Sequence, residues 1–269
     1  MKSFILDYIV ANVNLFKSAY QVSKFGVKNR FMVGIVELIP QLLFYAAQFV
    51  VVFAMFSVID GNIVDKMELV TFFVIMIAID SIGDALLFKG IQEYIKNIRR
   101  GQTLYYILTP GLTLFKVLFY RWDFPMLILG IIFFVAANMI GGFYYHVSPI
   151  YISITLIVGI MAHIVLTGAF HIIQAYYDPR MPIHLGSPAS RLYTKPMHLF
   201  LTGGIAFSVM STLYPAYFIT SLPSIVTTNF SGVIEWSLLY VYVVGVICIG
   251  LWMAGLNFII KKTCKERQG

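Results

Sequence analysis

The chain has 269 residues, 59% of them hydrophobic and only 12% charged, with 19 Lys and Arg against 12 Asp and Glu for a net charge of +7. Its mean hydropathy is +0.85. A soluble domain is nearer about 45–50% apolar and about 25% charged, so an ordinary soluble core is excluded and an all-α integral membrane protein is expected. The basic balance does not point to nucleic acid, because the cations cluster at the ends of apolar runs, where they orient a membrane protein.

Residues 1–30 place Ile5, Tyr8, Ile9, Phe16, Tyr20 and Phe25 roughly on one side at helical spacing, with Lys2, Asp7, Asn14, Lys17, Gln21 and Lys24 largely elsewhere. That pattern suits an amphipathic helix lying at the membrane interface; a poorly ordered basic leader is the alternative. Asp7, Asn12 and Asn14 interrupt the apolar residues, so no signal-peptide form is expected.

Six transmembrane helices are expected in the bundle 31–260, at 31–59, 69–87, 124–140, 150–173, 197–219 and 234–260, followed by a basic tail 261–269. Pro40 is placed to kink the first. The whole chain, 1–269, reads as one membrane domain. Five Lys or Arg lie in 1–30, six in 88–123, three in 174–196 and four in 261–269, whereas the opposite side carries Lys66 alone. This asymmetry predicts cytoplasmic N- and C-termini and a cytoplasmic loop at 89–123.

Polar residues inside the expected spans are few. Asp80 and Asp84 stand four residues apart on one helix face beside Ser81 and Gly83. Intramembrane carboxylates face a cavity or a partner, so the pair either lines a transport path or makes a structural contact to another span. Glu37, Asp84 and His171 fall at similar depths and would form a polar layer if their helices touch; His163 lies deeper. The outer segment 215–233 is uncharged and carries Pro215, Pro223 and Gly232. It suits a re-entrant or surface-lying outer helix between the last two spans, or a simple loop.

Catalytic signatures are absent. The sequence has no GxxxxGK[ST], no HExxH and no paired CxxC. The segment 186–190, GSPAS, lacks the strand–turn–helix setting of a nucleophile elbow. Cys248 and Cys264 have neither metal-site spacing nor an obvious partner. No metal site, no bound cofactor and no catalytic residue are therefore expected.

The loop 89–123 is too polar to span and too apolar to be plain loop. Its run IRRGQTLYYILTP resembles the loop between spans two and three of ABC-2 type transporter permeases, the compact six-span permeases of bacterial exporters. Arg99, Arg100, Gly101, Tyr105, Tyr106, Leu108 and Pro110 match, whereas Leu104 stands where an acidic residue is common. The LYP at 213–215 and LWMAGLNFIIKK at 251–262 are also similar to the family's last third. The resemblance implies a non-catalytic permease subunit in the bacterial inner membrane, paired with a second copy or a related permease. It also implies a separate ATPase that binds ATP and Mg and drives the permease through a coupling helix in this loop, with Leu104 among the contact positions. Tyr94, Ile95, Ile98, Leu104, Tyr105 and Ile107 are the loop's expected anchors at the membrane, and Lys96, Arg99 and Arg100 its cationic side. An ion-coupled or solute-binding carrier, or an intramembrane enzyme using Asp80 or Asp84, are the alternatives.

Overall fold

The computed structural model describes residues 66–108, 113–118, 120, 122–144, 149–177 and 236–266, with isolated helical positions between 10 and 21 and between 39 and 54. Six helices are delimited: α1 (Lys66–Arg99), α2 (Leu104–Leu108), α3 (Thr113–Leu118), α4 (Phe124–Tyr144), α5 (Pro149–Tyr177) and α6 (Trp236–Glu266). No strand occurs among the described residues. Among the described residues four helices are long and apolar enough to cross a membrane, within Val70–Arg99, Phe124–Phe143, Pro149–Ile173 and Tyr242–Glu266. The expected span 197–219 and the outer segment 215–233 lie outside the described residues, as does most of the leader. Positions 39–54 are helical where described, and Phe49 packs edge-on against Phe73 of α1 at 5.4 Å between ring centres.

The α1 helix differs from expectation. It runs unbroken to Arg99 rather than ending near residue 87. Leu87, Ile91, Tyr94, Ile95 and Ile98 continue a helical stripe, and all are buried. That stripe packs against protein, so the helix has no reason to stop where its outward residues turn polar. Tyr94, Ile95 and Ile98 therefore pack against protein and do not face outward as surface anchors.

What ends α1 is Gly101. Its φ of 68° is left-handed, and the Gln102 N–H donates to the Asn97 carbonyl at 2.8 Å while the Gly101 N–H donates to that of Ile98 at 3.1 Å. This is the paired-bond closure that glycine permits at a helix C-terminus. Gly101→Val is expected to lower stability by about 1–2 kcal/mol, the cost of a branched residue in this conformation, read as a lowered midpoint of thermal unfolding in detergent; an unchanged midpoint would contradict it.

Contacts between helices fix their directions. Asp123 N–H donates to the Ala85 carbonyl of α1 at 3.0 Å, so α4 starts beside the middle of α1 and runs back along it. The Lys89 ammonium meets the Asp123 carboxylate at 2.6 Å, and that acid sits favourably at the N-terminus of α4. α5 and α6 run parallel to each other. Thr155 Oγ1 and Tyr242 Oη lie 2.6 Å apart near one end, and Gly168 lies against Leu87 and Leu256 further along.

Candidate functional site

Two constellations carry chemistry, one among the apolar spans and one at the Arg99 end. In the first, the imidazole of His163 on α5 lies between the two α1 carboxylates. Its Nε2 is 3.0 Å from Asp84 Oδ1, a hydrogen bond. Its Nδ1 is 3.2 Å from Asp80 Oδ1, an ion contact off the hydrogen-bond direction. Thr167 Oγ1 lies 3.4 Å from Nε2, and the Tyr45 hydroxyl donates to Asp80 Oδ2 at 3.2 Å.

Local sequence explains the fit. Asp80 and Asp84 share a face because they are four residues apart, and Gly83 leaves the space between them open: a Cβ there would collide with the His163 ring. A neutral imidazole can donate to only one carboxylate, and of the two only Asp84 lies on a hydrogen-bond direction here. The clamp thus joins α1, α5 and the 39–54 segment.

Asp84 is therefore engaged by His163 and not by His171, which stands two turns further along α5, about 12 Å at helical rise, and is buried there. Glu37 lies outside the described residues, so the expected Glu37–Asp84–His171 layer is replaced, in its described part, by the Asp80–His163–Asp84 clamp. Tyr45 was not legible as a partner, since one tyrosine in an apolar run carries no positional signal.

The second constellation is a foot made of α2 and α3. Leu104, Tyr105 and Leu108 point outward at 55%, 42% and 72% exposure, while Tyr106 on the opposite face is buried. Tyr106 stacks edge-on against Tyr94 of α1 at 5.3 Å, accepts a bond from Asn97 Nδ2 at 3.2 Å on its hydroxyl, and accepts one from Lys116 Nζ at 2.9 Å on its carbonyl. Burial pushes the Tyr106 hydroxyl well above the usual tyrosine range, so it stays protonated. Burial, and after it the nearby Lys261 charge, lowers the Lys116 ammonium.

α3 is held just as firmly. The Leu114 N–H donates to Asn257 Oδ1 of α6 at 3.1 Å. Gly90 of α1 lies so close to the Val117 carbonyl that a Cβ there would overlap it. Lys116, Asn257 and Gly90 escaped sequence reading: a lysine in a basic loop looks like an orienting charge, and nothing in an isolated Asn or Gly names its neighbour.

Arg100 and Gly101 are exposed beside α2 and Arg99 is exposed at the end of α1. Pro110, Pro215 and Pro223 lie outside the described residues. Comparison of the chain with protein-family models, with curated proteins and with solved structures finds no match.

Proposed function

We propose that this chain is the membrane-spanning permease subunit of an ATP-driven transporter of the ABC-2 type, in a bacterial inner membrane, acting as an exporter. The observation that carries the reading is α2, a five-residue helix with Leu104, Tyr105 and Leu108 facing out and its other face fixed to α1 and α3 by Tyr106. Such a helix offers an apolar contact on a rigid mount, and exposed Arg99 and Arg100 beside it supply charge for an acidic rim.

In this reading the Arg99 end is cytoplasmic, in keeping with the Lys/Arg distribution. The ATPase is a separate chain that holds ATP and Mg, and the pore forms between two permeases. The Asp80–His163–Asp84 clamp lies on or beside the translocation path, and this chain contributes no catalytic group.

The test is co-purification of the full chain with an ATPase carrying a GxxxxGK[ST] loop, both produced in the same cells. Wild type should retain the ATPase through purification. Tyr105→Glu combined with Leu108→Glu should lose it at least tenfold, the effect of about 1.4 kcal/mol or more, with membrane insertion unchanged. Transport by the chain alone in proteoliposomes under a proton gradient, abolished by Asp80→Asn, would replace this reading with that of an ion-coupled carrier.

A further inference from the structure

The last turns of α6 carry cations that no described carboxylate answers. Asn257 Oδ1 accepts the Leu114 N–H of α3. Lys261 follows one turn later on nearly the same face, which brings its charge close to the buried Lys116 of α3. Lys116 is held there, because its Nζ is bonded to the Tyr106 carbonyl at 2.9 Å. Lys265 lies a further turn along α6. Among the described residues, Glu93, Asp123 and Glu266 are each met by another lysine, Lys96, Lys89 and Lys262 respectively, and none of them reaches Lys261 or Lys265. The C-terminal end of a helix offsets only about half a unit charge, so this corner stays positive.

The face of α6 that leads to these lysines is apolar. Ile247, Leu251, Ala254 and Phe258 are exposed and run at three- and four-residue steps to exposed Lys261 and Lys265. From 247 to 258 the strip is about 16 Å long at helical rise, close to the depth of one leaflet in a hydrocarbon core of about 30 Å.

We propose that this edge of α6 binds a phospholipid with a net negative headgroup, one acyl chain lying along Ile247, Leu251, Ala254 and Phe258 and the phosphate sitting between Lys261 and Lys265, beside Lys116. Basic pockets at the border of membrane spans hold anionic headgroups in this way. A phosphate here also relieves the closeness of the Lys116 and Lys261 ammonium groups. An acidic soluble protein would meet the charge but leave the apolar strip uncovered, which favours lipid. The site needs no ATPase at α2, so failure of the permease reading leaves it standing.

Native mass spectrometry of the full chain tests it, with the protein released from mixed micelles holding equal amounts of phosphatidylglycerol and phosphatidylcholine of the same acyl chains. Wild type should retain the anionic lipid at least about tenfold over the choline lipid, given roughly fivefold per lysine near a headgroup. Lys261→Gln combined with Lys265→Gln should abolish the preference. Lys262→Gln combined with Arg100→Gln removes the same charge from elsewhere at this end and should leave the preference intact. Glycerol phosphate, a headgroup without chains, should not compete. In cells, a photoreactive residue in place of Phe258 should crosslink to lipid. Wild type without a preference would overturn the proposal. So would equal loss in both double variants, which is general attraction to a basic surface, displacement by glycerol phosphate, which is a soluble-phosphate site, or a crosslink from position 258 to protein.

Discussion

Replacing His163 by leucine is expected to lower stability by about 3 kcal/mol, the lower end for removing one partner from a buried ion pair. The lower end applies because the Asp84 side chain is only partly enclosed by protein, 28% exposed. The substitution removes the imidazole from both carboxylates and leaves the Tyr45 hydroxyl on Asp80. The measurement is unfolding in mixed micelles with increasing denaturing detergent. A second substitution isolates the cause: Asp84→Asn added to His163→Leu removes one stranded charge and should recover part of the loss, a non-additivity of 0.5–3 kcal/mol by order of magnitude for contacting residues. If His163→Leu unfolds with wild type, the clamp holds nothing.

Gly90→Leu is expected to be the other severe change, at about 3 kcal/mol, the upper part of the range for overpacking. The reason is which atom it meets. A Cβ at this position overlaps the Val117 backbone carbonyl, and a backbone group in a helix cannot rotate away as a side-chain tip can. The α3 helix must separate from α1, weakening the Asn257 bond to the Leu114 N–H and the Lys116 bond to the Tyr106 carbonyl. Protease sensitivity in 104–118, with the spans still protected, is the expected readout; wild-type resistance there would show that α3 tolerates the displacement.

Much of the helical layout was legible from hydropathy. The start of α4 at Phe124 and of α5 at Pro149 falls within one residue of the apolar boundaries, because there the chain changes from polar to apolar and the helix begins. The far end of α1 was not legible as span or loop: residues 89–99 have polar residues facing out and a buried stripe facing in, which lowers mean hydropathy while preserving the helix. Asp80 and Asp84 announced themselves, since carboxylates in an apolar run need a partner. Which histidine supplies it did not, because the axial register of α5 against α1 is set by packing at such places as Gly83 and Gly168 and not by either helix alone. On α2, Tyr105 and Tyr106 are neighbours of the same type with opposite fates, one exposed and one buried. Their spacing separates them by about 100° on the helix; only the presence of Tyr94 says which one turns in.

The same division bears on the 89–123 segment as a whole. Its first third is the end of α1, its middle is α2 with Leu104, Tyr105 and Leu108 exposed, and its last part, from Thr113 to Asp123, returns the chain to α1 through Lys89 and Ala85. In the proposed reading the outward face of α2 is the place for a soluble partner, and the opposite end of the bundle, near Phe143, is not.

Site-specific photo-crosslinking in intact cells tests this most directly. A photoreactive residue is placed at Leu104 or Leu108 in one set of chains and at Phe143, 79% exposed, in another. The account predicts crosslinks from positions 104 and 108 to a soluble ATPase bearing a GxxxxGK[ST] loop, and none from position 143. Crosslinks to that ATPase from position 143, or to lipid alone from 104 and 108 in a chain that transports without any ATPase, would contradict it.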